Sequence, residues 1–231
     1  MKLALCGIFG VSINQLLFFE GLNLSTPVDA SIIMVTNPVL VLIISAILIN
    51  EKITIFKTIG IMLGAAGALI TIVYGKELSV GSEPLKGNIF LFINAFSYSI
   101  YLVMVKPLMD KYNPFTVMKW TFFFGFIFII PFTSSAFTNV NWSSFSTFTW
   151  LALVYVVIVT TFLAYLLIAF SMKYVNPSIA SFYIYFQPVI ASLLAMFLYD
   201  ERITIVKIFS AFLIFTGVYM VSRKPLLKRN V

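Results

Sequence analysis

Asn50-Glu51-Lys52-Ile53-Thr54-Ile55-Phe56-Lys57 and Asp200-Glu201-Arg202-Ile203-Thr204-Ile205-Val206-Lys207 are two versions of one phrase, and their spacing decides how the chain folds. Sliding the sequence by 150 residues superposes them without a gap. The same shift brings Pro27 onto Pro177, Ala30 and Ser31 onto Ala180 and Ser181, Pro38 and Val39 onto Pro188 and Val189, and Gly67 onto Gly217. Between residues 27 and 72, 13 of 46 positions are identical. Apolar composition alone does not align two prolines, a Glu, a Thr and a Lys, so the chain contains an internal repeat.

Outward from the phrase the sequence is apolar in both directions. Of 231 residues 61% are hydrophobic and only 10% charged, with a mean hydropathy of +1.05, outside the range of soluble domains. A bilayer core about 30 Å thick needs roughly 20 apolar residues per helix. Eight candidate spans follow, about Leu3 to Leu22, Val28 to Ile49, Lys57 to Tyr74, Leu85 to Val105, Phe115 to Thr133, Phe148 to Phe170, Ser178 to Tyr199 and Lys207 to Ser222. In hydrocarbon every backbone group must bond within its own segment, so the fold class is all-α, a polytopic membrane protein. Met1-Lys2 before an apolar run could also open a signal peptide, but Asn14, Gln15 and Glu20 interrupt the run and no small-x-small cleavage site follows.

The net charge of +7 would hint at nucleic acid in a soluble chain. Here the charges lie between apolar runs, where they set orientation, and nucleic acid is not expected as a partner. With the N-terminus in the cytoplasm, that side collects Lys2, Lys52, Lys57, Lys106, Lys111, Lys119, Lys173, Arg223, Lys224, Lys228 and Arg229. The outside receives Lys76, Lys86, Arg202 and Lys207. Positive-inside bias therefore predicts both termini cytoplasmic, in the cell (inner) membrane, with residues 224–231 a basic tail beside anionic headgroups and Trp142 at the outer interface. There is no His and one Cys, which excludes within this chain a His-ligated haem, a Cys/His zinc site, a disulfide and a Ser-His-Asp triad. No cofactor is expected, no metal site, and no Gly-x-x-x-x-Gly-Lys-Ser/Thr phosphate loop occurs.

The repeat lays the first three spans on the last three. Five spans separate each corresponding pair, an odd number, so the two copies cross the membrane in opposite senses, the inverted-topology arrangement from which many secondary transporters are built. Spans four and five have no counterpart in the first copy. Five spans per copy predicts ten, so two further helices are expected ahead of Met1 unless the protein works with eight. Residues 1–75 then hold the last three helices of one repeat and 85–223 the five of the other.

Asn14-Gln15-Leu16-Leu17-Phe18-Phe19-Glu20-Gly21-Leu22, then Ser25 to Ile33, Pro38, Glu51 to Thr54 and Gly60 to Gly67, resemble the EamA family of the drug/metabolite transporter superfamily. Asn176 to Ser181 through Pro188 to Glu201-Arg202-Ile203-Thr204 resembles it again. The resemblance covers nearly the whole chain. It implies ten helices in two inverted halves, a central cavity, alternating access, and movement of small metabolites, often amino acids or related compounds. Nucleotide-sugar or drug-like substrates stay open, as does a non-transporting assembly partner. No span carries paired acids, a metal cluster or a nucleophile with its base, so an enzyme is not expected. The lipid bilayer and a small-molecule substrate are the expected partners, and the oligomeric state is open.

Candidate site residues come from polar side chains inside the apolar runs, which are costly in lipid and cheap beside a cavity. Pro38 and Pro188 sit mid-span, where each removes a backbone donor and kinks its helix; a packing kink is the alternative to shaping a pore. Asn37 and Gln187, one residue before each kink, are the leading substrate contacts, interhelical hydrogen bonding being the alternative. Asn14 and Gln15 correspond to Ala164 and Tyr165. Asn94, Tyr98 and Tyr101 recur at helical spacing on one face, either cavity lining or a packed polar seam. Tyr183 and Gln187, four apart, predict a similar face. Glu20 is the one acid inside an apolar run, a possible coupling group or a side chain solvated at headgroup level. Glu51 and Glu201 are expected to terminate helices and pair with nearby lysines or arginines, and Gly60, Gly64 and Gly67 to let helices approach closely.

Overall fold

The computed structural model describes residues 1–74, 82–199 and 204–222. Seven helices among the described residues are long and apolar enough to cross a membrane. They are α1 (Lys2–Leu24), α2 (Pro27–Leu48), α3 (Ile55–Val73), α4 (Pro84–Lys111), α5 (Pro114–Asn139), α6 (Thr147–Ser171) and α8 (Ile205–Ser222). The remaining expected span, α7 (residues 177–199), is helical throughout but in three pieces: Pro177–Phe182, a tight 3-10 turn over Tyr183–Phe186, and Gln187–Tyr199. Lys76, Asp200, Glu201, Arg202 and the tail from Arg223 lie outside the described residues.

The repeated phrase is punctuation between helices. Thr54 caps α3, its Oγ accepting the Lys57 amide at 3.3 Å, and Thr204 caps α8 by accepting the Lys207 amide at 3.3 Å. Each cap satisfies one of the donors a helix start leaves unpaired. Upstream, α2 stops because Asn50 takes a left-handed conformation, φ 53°, letting both the Ile49 and Glu51 amides bond the Ser45 carbonyl. Glu51, its side chain 3% exposed, then pairs with Lys57 at 2.6 Å.

Bonds between elements establish the up-and-down threading. The Glu83 amide bonds the Leu24 carbonyl, placing the start of α4 beside the end of α1. Lys106 Nζ reaches the Met172 carbonyl at 2.7 Å, placing the end of α4 beside the end of α6. One face of the molecule thus holds Met1 and the turns near 50, 112 and 174; the opposite face holds those near 25 and 145, the start of α4 and Thr204. Helix α4 is the hub, half of its most apolar stretch buried inside the molecule, whereas α6 is 6% buried and presents its apolar side chains outward.

Helices α3 and α8 make the closest pairing. A side chain on Gly60 would meet the Gly217 carbonyl oxygen, and one on Gly67 would meet the Ser210 carbonyl oxygen. Residue numbers rise along one helix as they fall along the other, so the two run antiparallel. The two contacts are also each other's images under the 150-residue shift, since 60 maps to 210 and 67 to 217. A pair of helices related in this way crosses on a local two-fold axis, and the missing side chains let the backbones touch there.

Candidate functional site

Two helices break in the middle of the molecule, at matched positions. In α2 the Val35 and Thr36 amides bond carbonyls only three residues back, Ile32 and Ile33, and regular helix resumes at Asn37-Pro38. In α7 the 3-10 turn over Tyr183–Phe186 gives way to regular helix at Gln187-Pro188. Proline cannot donate to the preceding turn, and tightening that turn is how each helix accommodates it. The breaks touch: the Tyr185 hydroxyl donates to the Val35 carbonyl at 2.9 Å. Tyr185 and Val35 are 150 residues apart, equivalent positions of the two copies.

Above this contact lies a cavity of about 770 Å³, within the range that holds small metabolites. Its floor is Met34, Val35, Tyr185, Gln187 and Pro188; its walls include Phe18 on α1, Ala30 and Ser31 on α2 and Thr71 on α3; Thr204 and Lys207 stand at its mouth. All these wall and mouth residues lie in the halves of their helices nearer the face opposite Met1, so the cavity opens on that face.

Toward the Met1 face the interior is closed by polar side chains bonded to main-chain carbonyls and to one another. In α1 the residues Ile8–Ser12 form a π-helical stretch, and the wider winding turns main-chain carbonyls outward to other donors. Ser97 Oγ donates to the Phe9 carbonyl at 2.7 Å. The Tyr165 hydroxyl lies 2.7 Å from the Gly10 carbonyl and 2.8 Å from Asn14 Oδ1, and Gln15 Nε2 approaches it at 3.5 Å. Asn94 donates to the Asn14 carbonyl at 2.6 Å. Tyr98, Tyr101 and Tyr165 pack as a trio, the last two with ring centres 5.7 Å apart. Helix α6 carries its own π-helical stretch, Val156–Leu163, spanning the positions equivalent to that of α1.

The polar residues singled out from the sequence thus divide. Gln187 and Pro188 line the cavity. Asn14, Gln15, Asn94, Tyr98, Tyr101 and Tyr165 are brought together, but in the packed plug: Asn94 is 2% and Tyr101 0% exposed, so the shared face of Asn94, Tyr98 and Tyr101 is a polar seam and not open lining. Asn37 is also buried, its Oδ1 accepting from Ser99 at 3.4 Å. Tyr183 does not share a face with Gln187. Residues three apart eclipse in a 3-10 turn, so Tyr183 stacks on Phe186 at 5.6 Å and points outward, 53% exposed. Tyr185 takes its place at the floor. Glu20 is exposed on α1 beside Phe19 and is not among the cavity's lining. Met34, Val35 and Lys207 are lining residues that polarity and kinks did not mark; Lys207 could have been found as the counterpart of Lys57 across the repeat. No group of three or more His, Cys, Asp or Glu able to hold a metal occurs among the described residues.

Comparison with known proteins gives one consistent result. The profile of the EamA-like transporter family matches residues 1–73 and 85–223. An uncharacterized transporter of Archaeoglobus fulgidus is 28% identical over 96% of this chain and 78% of its own length. The uncharacterized transporter YyaM of Bacillus subtilis is 25% identical over 95% of this chain and 71% of its own. A WAT1-related protein of Arabidopsis thaliana is 23% identical over 94% of this chain and 66% of its own. One crystal structure superposes with a TM-score of 0.78 at 20% identity, covering 95% of this chain and 75% of that one. At that identity it speaks for the fold alone.

Proposed function

The chain belongs to the EamA-like transporter family, and from that premise we propose that it is a secondary carrier that exports small metabolites, amino acids or related compounds, by alternating access. Residues 1–75 and 85–223 are its two opposed units, and residues 224–231 a basic tail. Both termini face the cytoplasm of the cell membrane, so the cavity described above opens outward and the tyrosine plug closes the inner side.

The observation that carries this reading is the cavity floored by two broken helices, α2 and α7, that meet through Tyr185 and Val35. Helices interrupted at membrane depth expose backbone groups only where protein or a wet cavity satisfies them, and paired interruptions at corresponding places are where inverted-repeat carriers bind their cargo. Gln187 at the floor supplies the amide that orients a small polar molecule on a mostly apolar wall, and its counterpart Asn37, bonded to Ser99 in this structure, supplies a second when the carrier alternates. Export against a gradient would draw on an ion or a counter-substrate.

Comparative metabolite profiling tests this. Cells expressing the gene should accumulate a restricted set of amino acids or their derivatives in the medium relative to cells without it. Identical profiles in medium and cytoplasm would reject the export reading.

A further inference from the structure

The polar groups of the cavity differ in what they still have to give. A hydroxyl has one proton and two lone pairs, and three of the lining hydroxyls commit the proton to a main-chain carbonyl: Ser31 to Pro27 at 2.7 Å, Thr71 to Gly67 at 3.0 Å and Tyr185 to Val35 at 2.9 Å. Each therefore meets a ligand as an acceptor. The amide of Gln187 both donates and accepts. Among the described lining residues there is no Asp or Glu, and the one cation is Lys207 at the mouth. An ammonium has three N–H donors, so Lys207 can receive a ligand oxygen alongside a protein partner.

Helix α3 measures how far apart these groups stand. A side chain on Gly64 would meet the Tyr185 ring, so Gly64 marks the floor, and Gly67 stands opposite Ser210. Because α3 and α8 run antiparallel, Lys207 is level with Ile70. The step from Gly64 to Ile70, at about 1.5 Å per residue, puts the Lys207 backbone roughly 9 Å above the floor. Thr71 stands at that upper level, whereas Ser31, one turn before Val35, stands near the floor. The four-carbon stem of Lys207 and one small molecule close the distance together. The cavity is thus polarised along its depth, with acceptor oxygens below and a cation above.

We propose that the cavity selects zwitterionic amino acids with an apolar side chain, the carboxylate meeting Lys207 and the ammonium donating to the side-chain oxygens of Tyr185, Ser31 and Gln187. This rests on the carrier reading and narrows its cargo, with Lys207 as the specificity-determining residue. A zwitterion brings no net charge into the cavity, because its own carboxylate neutralises the ammonium that no acid of the described lining faces. An amine without a carboxylate carries an uncompensated charge past Lys207 and is rejected. An acid without an amine keeps the Lys207 contact but leaves the floor oxygens without a donor. Phe18, Leu22, Met34, Ile72 and Ile184 form the wall that takes the apolar side chain.

The test is binding of radiolabelled L-leucine and L-phenylalanine to the full chain in lipid nanodiscs, with unlabelled analogues as competitors. The decarboxylated amines, 3-methylbutylamine and 2-phenylethylamine, and 4-methylpentanoate, which is leucine without its amine, should each compete about tenfold more weakly than the parent amino acid, the worth of one charge-assisted hydrogen bond. Lys207→Gln should weaken binding of the amino acids by a similar factor and lose the discrimination against amines, whereas Lys207→Arg should retain both. The ranking of competitors needs no variant, so it decides the matter even where Lys207→Gln fails to fold. Amines that compete as well as the parent amino acids, undiminished binding by folded Lys207→Gln, or no binding of either label overturns the inference, while the carrier reading stands if the same protein in vesicles moves another compound. The expected ranking without flux of any compound supports the inference and tells against the carrier reading.

Discussion

Alanine at Gly60 or Gly217 measures the α3–α8 crossing directly. A Cβ on Gly60 would lie 2.7 Å from the Gly217 carbonyl oxygen and 2.7 Å from Val221 Cγ2, and one on Gly217 would lie 2.5 Å from the Gly60 carbonyl oxygen. Favourable contact between heavy atoms begins near 3.5 Å, so either methyl must push the helices apart by about 0.8 to 1 Å. Overpacking of this kind costs about 1–3 kcal/mol, and the better helix propensity of Ala returns about 1 kcal/mol. Each single variant should therefore lose about 1 kcal/mol. Both methyls act on one crossing, so the separation forced by the first relieves the second, and Gly60→Ala/Gly217→Ala should lose less than the sum by about 0.5–1 kcal/mol. Thermal unfolding of the four detergent-solubilised proteins measures this. Two single variants more stable than wild type, as propensity alone dictates, would refute a backbone-to-backbone crossing.

Other substitutions separate the parts of the site. Gln187→Leu and Asn37→Leu should each abolish flux while protein stays in the membrane at wild-type level; undiminished flux in either removes that amide from the substrate's path. Tyr165→Phe deletes the hydroxyl that reaches Gly10 and Asn14, and at the about 0.6 to 1.7 kcal/mol typical of hydrogen bonds between membrane helices it should lower the melting temperature by a few degrees, whereas Tyr183→Phe, on the exposed surface, should not. Equal melting temperatures for the two would sever Tyr165 from the plug. Glu20→Gln should leave flux and its pH profile unchanged, because Glu20 is exposed away from the cavity; a flattened profile would make it a coupling group.

The repeat makes much of the architecture legible in the sequence. Two prolines, a Thr-capped helix start and one glycine recur at one spacing, and the prolines and threonines have local causes that survive in the fold: Thr54 and Thr204 cap, and Pro38 and Pro188 break their helices. Such features are readable because they are decided by neighbours in sequence. What polarity could not decide is which side of a closed or open interface a side chain occupies in one conformational state. Gln187 and Asn37 are equivalent by sequence, yet one meets the cavity and the other is buried against Ser99. Tyr183 departs from its expected face for a different reason: four-residue spacing marks one face only in an α-helix, and the 3-10 turn before Pro188 rotates it away. The π-helical stretch of α1 carries no residue signature of its own, so the carbonyls that Phe9 and Gly10 offer to Ser97 and Tyr165 are not legible in the sequence.

The carrier proposal requires a substrate to cross between the opposed halves through the cavity floored by Tyr185 and Gln187. Its most direct measurement is efflux from proteoliposomes loaded with a defined mixture of amino acids and related metabolites, read by mass spectrometry, with Gln187→Leu in parallel vesicles. Selective loss of a small subset of the mixture through the wild-type protein, and none through the variant, is the expected result. Retention of every compound by both, as in protein-free vesicles, would contradict it.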